Sequence, residues 1–221
     1  MTDMDAIRER HSVRQYLDQP LRPEEIEELT EEIRVCNRES GLHIQLVANE
    51  PKAFGGFMAH YGKFSGVSNY FALVGRAGAD LQEKCGYWGE RLVLKAQRMG
   101  LNTCWVALTF SKVKSAYTLE GGEKLAAVIA LGHGAAQGVP HKSRSMDEVV
   151  KAAGPLPDWF RAGMEAVLLA PTAVNQQKFL FTLEGDQVSA QATGGFYSRI
   201  DLGIVKYHFE VGAGKERFRW K

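Results

Sequence analysis

The fold turns on the stretch GYWGERLVLKAQRMGLNTCWV, residues 86–106. Trp88, Leu92, Ala96 and Met99 recur at helical spacing, which predicts a long helix over about 79–99 with one apolar face. Gly100 follows the last of them, at the place where a helix stops on a residue free to take positive φ. The chain then switches to LNTCWVALTF (101–110), an apolar, strand-like run. A helix that ends on glycine and feeds an apolar strand is a building unit of a layered protein containing both elements.

Outward from this unit the alternation continues. Upstream, NYFALVGRA (69–77) and LHIQLVA (42–48) read as strands, and KLAAVIALGHG (124–134) reads as one downstream. Pro23 opens an earlier helix whose stripe is Ile26, Leu29 and Ile33, and Gly41 closes it. Its Glu24, Glu25, Glu27, Glu28, Glu31 and Glu32 are expected on a solvated face. A short helix is expected over 4–10. Residues 51–66, PKAFGGFMAHYGKFSG, form a loop long enough to suggest a functional one. Past PHKSRSMDEVV and a short helical stretch, Phe160, Met164, Val167 and Leu168 mark another helix, ended by Ala170-Pro171. FLFTL (179–183) and VSAQAT (188–193) pair as a hairpin across Glu184-Gly185-Asp186, and a helix over 199–212 leads to the basic aromatic tail KERFRWK. The expectation is one α+β domain over residues 1–221, a mixed central sheet flanked by helices, with no linker or low-complexity run.

Composition removes several classes. With 27 Lys and Arg against 26 Asp and Glu, no whole-chain field recruits nucleic acid or an anionic membrane. No run approaches the roughly 20 apolar residues of a membrane span, and the charged start carries no signal-peptide core, so the cytoplasm is the expected location. Cys36, Cys85 and Cys104 are odd in number and far apart, and read as reduced thiols rather than a zinc site. The six histidines contain no close ligand pair, and no metal is expected. There is no phosphate loop of the GxxxxGK[ST] type, no HExxH and no GxSxG. Gly132, Gly134 and Gly138 miss the dinucleotide fingerprint by one residue.

Three segments carry chemistry in concert, though each alone is ordinary surface. In Arg10-His11-Ser12-Val13-Arg14, extended backbone puts Arg10, Ser12 and Arg14 on one face, a set of donors suited to phosphate. Lys142-Ser143-Arg144 repeats the every-second-residue basic spacing. In Ala170-Pro171-Thr172-Ala173-Val174-Asn175-Gln176-Gln177, small residues admit a flat ligand and amides offer paired donors and acceptors.

Together these segments resemble the nitroreductase family of flavin enzymes. That family has an RxSxR segment holding the FMN phosphate, an APSxxNxQPWxF segment lining the flavin, a central helix ending in GLxxxW, and a strand followed by a K-x-R segment. RHSVR, APTAVNQQKFLF, GYWGERLVLKAQRMGLNTCWV and VIALGHGAAQGVPHKSR stand for them here. The resemblance implies FMN as cofactor, NAD(P)H as electron donor, and a nitroaromatic, quinone or similar small-molecule acceptor. It implies an FMN site drawn from Arg10, His11, Ser12, Arg14, Lys63, Leu108, Thr109, Lys142, Arg144, Pro171, Thr172, Asn175 and Gln177. It names no catalytic side chain, because the flavin carries the chemistry. Phe54, Phe57, Tyr61 and Phe64 are expected to cover the acceptor.

One departure matters. In the family the APSxxN segment comes early; here it lies near residue 170. The run over about 155–212 therefore resembles a degenerate second half-copy, with RIDLGIVKYHFEVGAG answering to the central helix, as in a single-chain pseudo-dimer. A monomer or weak dimer is expected. Two other readings stay open: a flavin-binding relative without turnover, and a phosphate-ligand or nucleic-acid module built on Arg10, Arg14, Lys142, Arg144 and the tail.

Overall fold

A computed structural model describes all residues, 1–221. Six α-helices and eight strands follow in the order α1 (Asp3–Glu9), α2 (Pro23–Ser40), β1 (Gln45–Val47), α3 (Phe57–Tyr61), β2 (Asn69–Arg76), α4 (Leu81–Arg98), β3 (Asn102–Val106), β4 (Glu123–Gly132), β5 (Val150–Ala152), α5 (Asp158–Val167), β6 (Phe179–Glu184), β7 (Gln187–Ala192), α6 (Ser198–Ala213) and β8 (Arg219–Trp220). The class is α+β. The strands divide into two four-stranded sheets, β1-β2-β4-β3 and β5-β6-β7-β8.

All pairings between the strands of the first sheet are antiparallel, and it is buried on both faces. Along β2, Phe71 and Leu73 face the larger apolar cluster with α2 and α4, while Tyr70, Ala72 and Val74 face a second cluster with Phe54, Phe64 and Phe110. A strand covered on both faces loses the polar alternation of a half-exposed one, which is why NYFALV reads as a continuous apolar run. The second sheet is mixed: β5-β6 and β7-β8 are parallel, and β6-β7 is the expected hairpin with Gly185 at φ +65°.

Residues 12–17 add an extended strip beside this framework. Ser12 bridges Thr103 in parallel, Gln15 bridges Ser65, and Tyr16 bridges Gly134. The Val13 N–H donates to Thr103 O at 3.0 Å, and the Leu17 N–H to His133 O at 2.8 Å. Pleating sends Val13 into the core and turns Ser12 and Arg14 the other way.

Helices α4 and α6 cross at two glycines. A Cβ on Gly86 would lie 2.0 Å from Ile200 O, and a Cβ on Gly203 would lie 2.0 Å from Glu83 O. The contact is reciprocal, since Ile200 and Glu83 each precede the facing glycine by three residues. With the short helix α3 between β1 and β2 set aside, the order helix, strand, antiparallel strand, helix, strand occurs twice, as α2-β1-β2-α4-β3 and as α5-β6-β7-α6-β8.

Several local expectations change. The stretch after KSR holds a 3₁₀ turn and the short strand β5. Glu25 is buried, where its carboxylate accepts from the Arg22 backbone and guanidinium, because it lies at the α2 start rather than along its outer face. Glu28 and Glu32 pair with Lys95 and Arg91 of α4. Phe54 and Phe64 are core residues, so of the aromatics expected over an acceptor only Phe57 and Tyr61 stand exposed. The tail folds back: Phe218 is buried, Arg219 pairs with Asp186 and Lys221 with Glu184, which leaves no free basic arm there.

Candidate functional site

A cavity of about 520 Å³ opens where the extended N-terminal strip, the end of β3, the loop before β2, the turn after α5 and the first turns of α6 converge. That volume lies within the range of small-molecule sites. Each wall follows from a local feature of the sequence. Ser12 and Arg14 reach it by the pleat of the N-terminal strip. Lys63 sits at φ +61° in the turn after α3, beside Gly62, where a Cβ would lie 2.7 Å from Thr109 Oγ1. Glycine there lets the 61–64 turn close against the 107–109 turn, and both line the cavity.

The expected site residues divide into two groups. Ser12, Arg14, Lys63, Leu108, Thr109, Pro171 and Thr172 line the cavity together. Arg10, His11, Lys142, Arg144, Asn175 and Gln177 are not in its lining. Arg10 is 5% exposed, and its Nε has no hydrogen-bond partner. His11 packs where a Cβ on Gly138 would come within 2.8 Å of its own Cβ. Burial, then Arg10 and His141, push the His11 pKa down. His141 Nε2 is likewise buried without a partner.

Lys142 and Arg144 are exposed, and the amides expected to face a ligand hold their backbone instead. Asn175 Nδ2 donates to Lys142 O at 2.9 Å, Gln177 Nε2 donates to the same oxygen at 2.8 Å, and the Arg144 N–H donates to Gln177 Oε1 at 2.8 Å. Residues 175–177 thus fasten the KSR segment to the turn that lines the cavity. This turn is strained, with Val174, Asn175 and Gln177 at φ +47°, +54° and +47°. Left-handed backbone is costly for a β-branched residue such as valine, and it persists where surrounding bonds fix it.

The sequence reading missed the contribution of α6 and much of the floor. Tyr197, Ile200, Asp201 and Ile204 line the cavity from α6 and its start. Trp105 is half-buried and forms part of the wall, lying against Gly89. Its Nε1–H donates to Glu90 Oε2 at 2.8 Å, and Glu90 Oε1 lies 2.9 Å from His208 Nε2. His208 Nδ1 faces the Ala166 carbonyl at 2.9 Å, so that nitrogen carries the hydrogen. Glu90 and His208 are both fully buried. Burial drives the Glu90 pKa up, but His208, Arg10 and the Trp105 N–H outweigh it and hold the carboxyl below its ordinary range. Cys104, also in the lining, is pushed up by burial and stays a thiol.

The donor set fits FMN. A dianionic phosphate in the cavity would meet the Arg14 guanidinium, the Ser12 hydroxyl and the Lys63 ammonium, which all stand in the lining. Pro171, Val106, Ala107 and Ile204 supply apolar walls for a flat ring. No cluster of His, Cys, Asp or Glu could hold a metal, and no helix is long and apolar enough to cross a membrane.

Comparison with known proteins gives the family. The family described as "Putative TM nitroreductase" matches residues 3–213. Among solved structures, the chain is similar to a "putative nitroreductase" from Thermotoga maritima, with TM-score 0.66 and 21% identity, over 99% of this chain and 87% of that one. It is similar to a nitroreductase family protein from Streptococcus pneumoniae, with TM-score 0.53 and 15% identity, over 67% of this chain and 98% of that one. A "Putative NADH dehydrogenase/NAD(P)H nitroreductase" from Parabacteroides distasonis aligns with TM-score 0.53 and 21% identity, over 66% and 95%. No curated protein matches the sequence.

Proposed function

This chain belongs to the nitroreductase family described as "Putative TM nitroreductase", and we propose that it is an FMN-dependent oxidoreductase passing electrons from NAD(P)H to a small electron-poor acceptor. The observation that carries the reading is the convergence of Ser12, Arg14, Lys63, Leu108, Thr109, Pro171 and Thr172 on one cavity. Bound FMN supplies the two-electron chemistry that no side chain here provides.

The chain's own residues do the rest. Ser12 and Arg14 would hold the phosphate from the lining, and Arg10, Lys142 and Arg144 would add positive charge to its field. A guanidinium offers forked donors that match phosphate oxygens, and two of them fix its place. The 107–109 turn and the Pro171–Thr172 wall line the cavity and would border a flat ring bound there. Asn175 and Gln177 act at one remove, by tying the KSR backbone to that wall. Tyr61, Leu108 and Val174 are exposed at the lining and leave an apolar lip on which an aromatic acceptor can stack.

The second run of elements supplies part of the site from the same chain. It brings the APTAVN turn and α6 to the cavity within one polypeptide. The reading is tested by following NADH or NADPH oxidation in the FMN-loaded protein with a nitroaromatic or a quinone added. Acceptor-dependent oxidation is expected. FMN bound without turnover would favour the non-catalytic relative, and nucleic-acid binding by a colourless protein would favour the phosphate module.

A further inference from the structure

Trp105 is a cavity residue whose support is polar. Its indole stands half-buried in the wall with Ala127, Ile200 and Ile204. Two successive residues of α4 form a socket for it. Gly89 takes the benzo edge: a Cβ there would lie 2.5 Å from Trp105 Cη2 and 3.0 Å from Cζ2. Glu90 takes the pyrrole edge, its Oε2 accepting from Nε1–H at 2.8 Å. Glu90 is fully buried, although glutamate seldom leaves water unless it is paired. Its pair comes from α6, where His208 Nε2 lies 2.9 Å from Oε1. His208 Nδ1 already donates to Ala166 O, so one hydrogen must lie between Nε2 and Oε1. The carboxyl group is thereby held at both oxygens, and the chain of bonds ends on the backbone of α5.

We propose that Glu90 is a positioning residue for the cavity: clamped by His208, its carboxyl group fixes the plane of the Trp105 indole that walls the site. An apolar residue at 90 would fill the core without desolvating a charge, and a buried pair adds little stability over it. What an apolar residue cannot supply is direction. An indole at a cavity edge lacks neighbours on its open side, so packing alone leaves it more than one side-chain rotamer. A hydrogen bond to a clamped acceptor selects one of them. The set of this wall is then decided by α4 and α6 together, although β3 carries the tryptophan. The orientation of the indole is a property of the chain without cofactor, and only its effect on FMN affinity rests on the flavin reading.

Indole ¹⁵N–¹H spectra of the cofactor-free protein test it. The chain has four tryptophans, and the Trp105 signal is the one lost in Trp105→Phe. In wild type it should lie downfield and exchange slowly with solvent, as a donor to a carboxyl group does. Glu90→Leu combined with His208→Leu removes the clamp and leaves no unpaired charge, so the fold should survive. In that double variant the signal should move upfield and exchange faster. Glu90→Gln should keep slow exchange, since its amide oxygen accepts from the indole and its amide N–H donates to His208. Glu90→Asp, one methylene shorter and still charged, should lose part of the protection, and it carries the test if the double variant does not fold. Leu29→Ala, a core truncation on α2 outside the cavity lining, should lower stability yet leave the signal in place. A Trp105 signal that stays put in the double variant, or that moves as far in Leu29→Ala, would overturn the proposal. Fluorescence titration with FMN is the second arm. The dissociation constant should rise severalfold in the double variant and stay near wild type in Glu90→Gln; an unchanged constant in the double variant would overturn the proposal as well. A wild-type protein that binds no FMN contradicts the flavin reading and leaves the indole spectra to decide the clamp.

Discussion

Arg14 lies at the cavity edge, its guanidinium 6.0 Å from the Phe64 ring centroid. A phosphate is the same in oxidised and reduced FMN, so contacts to it set cofactor affinity rather than the rate of electron transfer. Arg14→Ala should weaken FMN binding by about 10- to 150-fold, the worth of a hydrogen bond to a charged group, and Arg14→Lys should recover only part. Fluorescence titration measures both, and unchanged affinity in Arg14→Ala would place the strip on plain surface. Glu90 makes a second test. Removing one member of a buried pair leaves the other uncompensated, so Glu90→Ala should cost about 3–5 kcal/mol in urea unfolding. Glu90→Gln should cost much less, because the amide can accept from Trp105 and donate to a neutral His208. Equal losses in the two variants would contradict that account. The shared face of Ser12 and Arg14 was legible in sequence because pleating is local, whereas Arg10, expected on the same face, is buried at the end of α1 and does not line the cavity. Glu90, His208 and Asp201 were not, because their partners lie 118, 42 and 28 residues away and no spacing rule joins them.

The element most easily read was α4, whose apolar stripe and closing glycine are both local signals. Strands β2, β3 and β4 were read for the same reason, each being a long apolar run. Strands β5 and β8 were missed: with three and two residues they exist only through pairing with β6 and β7. The 51–66 segment read as loop carries α3, too short to show a period. The crossing of α4 and α6 was equally hidden, since a glycine inside a helix shows its reason only when the neighbour is present. Gly86→Ala and Gly203→Ala should each destabilise the fold by about 1–3 kcal/mol or more, because a methyl group would meet backbone that cannot step aside. Gly121→Ala, where no atom lies within 4 Å of the added carbon, is the control and should be close to neutral. Urea midpoints of the three variants decide it; a neutral Gly203→Ala would mean that the helices do not cross as described.

At the scale of the whole molecule, the larger apolar cluster draws residues from both runs of elements, Leu92 and Phe71 from the first and Phe160, Phe181 and Phe209 from the second. One polypeptide then brings the N-terminal strip and the APTAVN turn to one cavity, with the KSR backbone tied to that turn. Titration should saturate at one FMN per chain, and dilution to a monomer, followed by light scattering, should not release it. Loss of FMN on dissociation would mean that a second chain completes the site. The central claim, that this cavity makes the chain a flavin oxidoreductase, meets its most direct test in the visible spectrum of the FMN-reconstituted protein under anaerobic NADH or NADPH. The account predicts a bound-flavin spectrum that bleaches and then returns when a quinone or nitroaromatic is added. A protein that takes up no FMN, or whose bound FMN neither nicotinamide bleaches, would contradict it.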